Sequence, residues 1–182
     1  MDLNKRRYVN YVKALAVAFG LILFDQLTKL TAVENLKGQK PFVIIDGVFQ
    51  LEYLENRGAA FGIFQGKQII FILSVFLISA AVIWFFSRVP MELRFLPLQV
   101  CGVLVFAGAW GNCIDRLSHG YVIDFFYFIL IDFPIFNVAD FYVTVAAFLL
   151  VILLLFYYKE EDLDRILHHR KSGRRKDLPI SF

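Results

Sequence analysis

QIIFILSVFLISAAVIWFFS, residues 68–87, carries no charged side chain and is long enough to cross roughly 30 Å of hydrocarbon as a helix. Reading outward, two further uncharged runs of this kind occupy Phe95–Ile114 and Phe141–Tyr158. The N-terminal candidate is shorter. Only the stretch between Lys13 and Asp25 is free of charge, so Lys13 must snorkel, and Asp25 and Lys29 fall at the membrane edge. Composition agrees: 59% of the 182 residues are hydrophobic, 19% are charged, and the mean hydropathy is +0.63. The chain reads as an all-α membrane protein with four transmembrane helices, at about residues 10–29, 68–87, 95–114 and 137–158. Residues 1–158 form a single integral-membrane domain without internal repeats, and residues 159–182 form a charged tail.

Basic residues set the orientation. Lys5, Arg6, Arg7 and Lys13 precede the body of the first helix, Arg88 and Arg94 lie in the link between the second and third, and more Lys and Arg crowd the tail from Lys159 onward. The positive-inside rule therefore places both termini and that link in the cytoplasm. DQLTK follows the first apolar run where a small-x-small cleavage site would stand, so the run reads as an uncleaved helix. The net charge of +3 reflects this asymmetry. Glu160, Glu161, Asp162 and Asp164 interleave with the tail basics and argue against nucleic acid, leaving membrane lipid headgroups as their partners. With this orientation Asp25, Lys29, Asn56, Arg57, Asn112, Asp115, Arg116, Asp124, Asn137 and Asp140 all gather on the extracytoplasmic side.

Two extracytoplasmic segments, 30–67 and 116–135, are too long for simple turns. FVII and VFQLEYL are β-rich and flank Asp46-Gly47, a hairpin signal, so a small antiparallel sheet is expected on the outer leaflet. Phe49, Leu51 and Tyr53 alternate with Gln50 and Glu52 as in a half-buried strand. NRGAAF follows at Asn56–Phe61, where Gly58, Ala59 and Ala60 permit close backbone approach to something bound. Ser118–Phe133 is also strand-like and rich in Phe and Tyr, which suits the membrane interface.

Several chemistries find little support. Cys101 and Cys113 lie about 18 Å apart along one helix and cannot form a disulfide. His119 stands alone, and His168 and His169 lack metal-site spacing, so no metal is expected. Ser74, Ser79 and Ser87 have no facing histidine, although Lys29 as a base for a serine or threonine stays open.

Acids at the ends of apolar spans are costly and point to function, yet each has a bland reading. In FNVAD, Asn137 can cap the last helix with Asp140 answering its free amides. In DQLTK, Asp25 and Lys29 form an i, i+4 pair, and in GNCIDR so do Asn112 and Arg116. Asp115 pairs locally with Arg116 or Lys29. Asp124, in YVIDFF, has apolar neighbours and no adjacent cation. Three spans and two loops converge on one membrane face, and capping accounts only for Asp140.

DQLTK at 25–29, NRGAAF at 56–61, GAWGNCIDR at 108–116, VIDF at 122–125 and FNVAD at 136–140 together resemble the motif set of bacterial lipoprotein signal peptidase, or signal peptidase II. The resemblance runs from the first helix to the fourth and omits the tail. It implies an intramembrane aspartic endopeptidase that removes the signal peptide from diacylglyceryl-modified prolipoproteins, on the amino side of the lipidated cysteine. It implies four membrane helices with a small extracytoplasmic sheet, a bacterial cytoplasmic (inner) membrane location, no metal or organic cofactor, and inhibition by globomycin. The catalytic pair maps onto Asp124 and Asp140. Asn56, Gly58, Asn112, Arg116 and Asn137 map onto positions that hold substrate or support the pair, while Asp25, Lys29 and Asp115 are assigned to structure or to orienting the outer layer. A monomer is expected. The competing class is a small proton-coupled transporter subunit, which predicts acids near the bilayer midplane and paired broken helices. A purely structural protein is a third reading; it predicts that Asp124→Asn leaves function intact.

Overall fold

The computed structural model describes residues 3–58 and 67–167. Its helices are α1 (Leu3–Leu36), α2 (Gln68–Arg88), α3 (Leu96–His119), α4 (Val138–Ile152) and a short α5 (Glu160–Leu167). Its strands are β1 (Phe42–Ile45), β2 (Phe49–Asn56) and β3 (Val122–Tyr127), joined antiparallel in the order β1-β2-β3. Four stretches among the described residues are long and apolar enough to span a membrane: Arg7–Leu36, Gln68–Arg88, Leu93–His119 and Val138–Tyr157. Side chains such as Phe148, Leu155 and Phe156 lie bare on the outer faces of this bundle, as lipid-facing residues do.

α3 is the central post, packed against α1, α2 and α4. Its contact with α4 depends on missing side chains. A Cβ on Gly108 would lie 2.5 Å from the Ala139 carbonyl oxygen, and Ala107, Ala139 and Ala146 are fully buried nearby. Without a hydrophobic drive between helices in lipid, such small residues let backbones approach and gain dispersion contacts. α3 starts at a proline turn and stops at Gly120, which takes a left-handed φ of +80° and donates its N–H to the Arg116 carbonyl. α4 ends in a π-helical turn over Leu153–Tyr157, closed by the Tyr158 N–H on the Leu153 carbonyl.

The boundaries differ from the sequence expectation in instructive ways. α1 continues through residues 30–36, assigned above to an outer segment, because Ala32, Val33 and Leu36 bury against Ile123 and Phe125 of the sheet. The first helix therefore carries the sheet. α3 likewise extends past 114, so Arg116 is helical, and the strand in Ser118–Phe133 is confined to Val122–Tyr127. The hairpin forms at Asp46-Gly47, with Gly47 at φ +66° and the Val48 N–H bonded to the Ile45 carbonyl.

The alternation expected of β2 fails. Gln50 is buried and donates to Glu52, and the pairing with β3 slips by one residue between Leu51↔Phe126 and Leu54↔Asp124. A polar pair that satisfies itself can sit inside, and the slip exchanges the two faces of the strand.

The segment from Lys159 to Leu167 is docked rather than trailing. Ile166 joins a core with Val89, Phe95, Leu98 and Tyr158, the Phe95 and Tyr158 rings stack at 5.6 Å, and Arg94 grips Asp162 through Nε at 2.8 Å. Residues 168–182, with His168 and His169, and Ala59, Ala60 and Phe61 of NRGAAF lie outside the described residues.

Candidate active site

Asp124 stands in the middle of β3, 1% exposed, and two registers place its neighbours. Phe126 and Phe136 exchange backbone hydrogen bonds at 2.8 and 3.1 Å, so the next residue, Asn137, lands beside the strand. Its Nδ2 donates to Asp124 Oδ1 at 2.6 Å. The slip in β2 supplies the other neighbour. With Leu54 opposite Asp124 and Asn56 opposite Val122, Asn56 sits diagonal to Asp124 on the same face, and its Nδ2 donates to Asp124 Oδ2 at 2.9 Å. Without the extra residue Asn56 would point the other way.

Asp140 is reached from α4. Asn137 is the N-cap: its Oδ1 accepts from the Asp140 N–H at 3.0 Å, and Asp140 Oδ2 accepts from the Asn137 N–H at 3.2 Å. This is the capping box that the spacing allowed. It does not compete with a chemical role, because the same asparagine that caps the helix also holds Asp124. Asp140 Oδ1 accepts from Asn112 Nδ2 at 2.7 Å, and Asn112 Oδ1 accepts from Asn137 Nδ2 at 3.0 Å. Two carboxyls from a strand and a helix thus belong to one cluster tied by three asparagine amides.

Beneath it lies a buried ionic layer. Lys29, 1% exposed, touches Asp25 and Asp115 at 2.9 Å each and donates to Asn112 Oδ1 at 3.0 Å. Asp115 therefore pairs with Lys29, and its Oδ2 also accepts from the Ile123 N–H at 3.1 Å. Asp25 Oδ1 accepts from the Ala139 N–H at 2.9 Å. Gly111 makes room for this layer, since a Cβ there would lie 2.6 Å from Asp25 Oδ2.

Arg116 closes the rim. Its Nη2 donates to the Gly58 carbonyl at 3.1 Å and its guanidinium lies 4.3 Å from the Phe71 ring centroid. The expected Asn112–Arg116 pairing runs through the Asn112 backbone carbonyl at 3.3 Å rather than between side chains. Arg116 Nε is buried with no partner among the described residues. Gly58 in turn donates its N–H to Asn56 Oδ1 at 3.0 Å.

Electrostatically the cluster keeps a proton within reach. Burial, reinforced by the charge of Asp140, pushes the Asp124 carboxyl up to about 7, although the amides of Asn56 and Asn137 pull the other way. A carboxyl balanced near neutrality beside a second carboxylate is a proton donor and acceptor in waiting.

The sequence profile described as signal peptidase (SPase) II matches residues 17–156. The chain belongs to the signal peptidase II family. Among its relatives is the lipoprotein signal peptidase of Clostridium novyi, 41% identical over 141 residues, covering 76% of this chain and 93% of that protein. Another is the lipoprotein signal peptidase of Streptococcus thermophilus, 39% identical over 137 residues, covering 75% and 88%. A bacterial membrane enzyme solved in meso at 2.3 Å superposes with a TM-score of 0.67 at 30% identity, over 90% of this chain and 94% of its own. A second, solved at 1.9 Å, gives 0.68 at 35% identity over 80% and 94%. Membership in a signal peptidase family, an aspartic-type peptidase, removes the transporter reading.

Within this signal peptidase II chain every candidate residue converges on the sheet end of the bundle, but in layers. Asp124, Asp140, Asn56, Asn112 and Asn137 touch one another; Asp25, Lys29 and Asp115 lie behind; Gly58 and Arg116 form the rim. Sequence reasoning missed Gln26, whose Nε2 donates to Asp115 Oδ1 at 3.0 Å and to the Gly111 carbonyl at 3.1 Å. Its place inside DQLTK was the available signal. It also missed Gln68, whose Nε2 bonds the Gly120 carbonyl at 2.5 Å, and Phe71, which has no polar mark to betray it.

Proposed function

We propose that this protein removes signal peptides from diacylglyceryl-modified prolipoproteins, cutting on the amino side of the lipidated cysteine, with Asp124 and Asp140 as the catalytic pair. The observation that carries this reading is the single asparagine, Asn137, that binds both carboxyls. The fold suits such a substrate. Phe42, Val43, Ile44 and Ile45 lie exposed on β1, the edge strand of the sheet that holds Asp124, a surface that partitions into the membrane interface, where the acyl chains of the anchor can stay in lipid.

Burial and the charge of Asp140 hold the proton on Asp124, so Asp140 is the carboxylate that takes a proton from the attacking water. Asp124, protonated below about pH 7, gives its proton to the scissile carbonyl oxygen. Water oxygen bonds to the carbonyl carbon and a tetrahedral diol forms; its collapse breaks the C–N bond as one diol hydroxyl returns its proton to Asp124, restoring the carbonyl, and the proton held on Asp140 passes to the leaving amine. Arg116, whose Nε–H has no partner among the described residues, supplies a donor for the substrate backbone. The site faces the extracytoplasmic side of the bacterial cytoplasmic membrane, the orientation favoured by the Lys and Arg at the opposite end. The protein acts as a monomer and needs no cofactor, and globomycin-type inhibitors compete for the same site.

Purified protein in lipid with a diacylglyceryl-modified precursor tests this reading. Cleavage is expected to vanish in Asp124→Asn and in Asp140→Asn with the fold intact, and to survive chelators; turnover in either variant overturns it.

A further inference from the structure

The geometry points to Lys29 as a positioning residue: its ammonium, by donating to Asn112 Oδ1, fixes which end of the Asn112 amide faces Asp140. The inference rests on the peptidase reading above and goes beyond it, because Lys29 touches neither carboxyl of the pair and would otherwise be a buried structural ion.

An asparagine amide presents an acceptor at one end and donors at the other, and rotation by half a turn exchanges them. At Asn112 that choice matters. Its Nδ2 lies 2.7 Å from Asp140 Oδ1, a favourable contact with a carboxylate. Its Oδ1 receives Lys29 Nζ at 3.0 Å and Asn137 Nδ2 at 3.0 Å. An ammonium has donors only, so the flipped amide would set N–H against N–H at Lys29 and oxygen against oxygen at Asp140. The lock extends one step further: Asn137 can direct its Nδ2 to both Asn112 Oδ1 and Asp124 Oδ1 only while Asn112 keeps this orientation.

Lys29 is held for this task. Asp25 and Asp115 flank it at 2.9 Å, and each acid is anchored by a backbone amide, of Ala139 and of Ile123. With Asn112 the three acceptors use all three ammonium protons. The ionisable groups around Asn112 are Asp25 and Lys29 from α1, Asp115 and Arg116 from α3, Asp124 from β3 and Asp140 from α4.

The comparison that isolates the ammonium is Asp115→Asn against the double variant Lys29→Met with Asp115→Asn. Both keep Asp25 satisfied by the Ala139 N–H and Gln26, and the double variant has the same net charge as the parent site. In the double variant kcat is expected to fall about 10- to 100-fold below Asp115→Asn with KM within about twofold, as for loss of a hydrogen bond that matters only to the reacting groups. Against the parent, whose site charge it shares, the acid limb of its kcat profile should move to higher pH, since a flipped amide suits only a protonated Asp140. Equal kcat in the two proteins, or a fall with an unmoved acid limb, overturns the proposal. If the double variant does not fold, Lys29→Met with Asp25→Asn against Asp25→Asn makes the same test, and failure of both to fold makes Lys29 structural only. Retained cleavage in Asp124→Asn would instead sink the peptidase reading itself.

Discussion

Asp140 and Asp162 hold the same position in two different helices, the third residue of α4 and of α5, and each bonds back to the backbone N–H preceding its helix, at 3.2 and 3.1 Å. Beyond that shared turn they diverge. Asp162 meets the Arg94 guanidinium at 2.8 and 2.5 Å, and this fork holds its carboxyl down to about 2. Among the described residues Asp140 accepts from the Asn112 amide and from the Asn137 N–H, and Asn137 also holds Asp124, whose carboxyl burial drives up to about 7. The cap is a local device, fixed by three residues of sequence. A guanidinium pins the charge and makes the acid a clasp, whereas neutral amides orient the acid yet leave a proton free to move.

The sharpest way to break this comparison is to neutralise each acid in turn. Asp140→Asn, like Asp124→Asn, is expected to lower kcat by at least about 10³-fold, while Asp162→Asn stays within about twofold of the parent in the same lipid assay. Equal losses at both positions would mean that the two turns are not different in kind. Asn137→Ala comes next. It removes the side-chain donor to Asp124 together with the cap on the Asp140 N–H, while the backbone N–H that holds the Asp140 carboxyl stays, so kcat should drop about 10²-fold and the protein should lose about 1 kcal/mol of stability by thermal unfolding. A loss of stability alone would demote Asn137 to a cap. A smaller effect follows from Asp124 itself. Cleavage should decline above pH of about 7, approaching tenfold per unit, as the pair loses its shared proton. A flat rate well into the alkaline range would assign the proton elsewhere.

The spans and the hairpin were legible because hydropathy and Asp46-Gly47 are local signals, and the acids were legible because lipid makes them expensive. FNVAD was legible as a cap and as a candidate site, and Asn137 both caps α4 and bonds Asp124. Three things were hidden, all set by tertiary packing. The end of α1 was misplaced because Ala32, Val33 and Leu36 look the same whether they face lipid or a sheet. The slip in β2 that brings Asn56 to Asp124 has no glycine or proline to announce it. The docking of α5 depends on Arg94, which charge counting had spent on orientation alone.

The end of the bundle opposite the site gives the smallest and most local prediction. Asp162 sits below its ordinary value of 3.8, so the folded state prefers the charged form; the stabilisation is whole above pH of about 4 and fades as pH falls toward about 2. Asp124 has the opposite sign: its folded form holds the proton more tightly, so its contribution weakens as pH rises from 3.8 toward about 7. Amide exchange over Glu160–Leu167, corrected for the intrinsic rate at each pH, should therefore stay slow at pH 5 and quicken only in strong acid, where the Arg94 fork loses its partner. Arg94→Ala should reproduce that quickening at neutral pH, about tenfold, with cleavage unaltered. Arg165 contacts Glu92, and Tyr158 donates to the Arg94 carbonyl, so the helix keeps other holds and should loosen rather than leave. Faster exchange accompanied by slower cleavage would show that the two ends of α4 are coupled through the helix, and the separation between a clasp at one end and a reactive pair at the other would then be wrong.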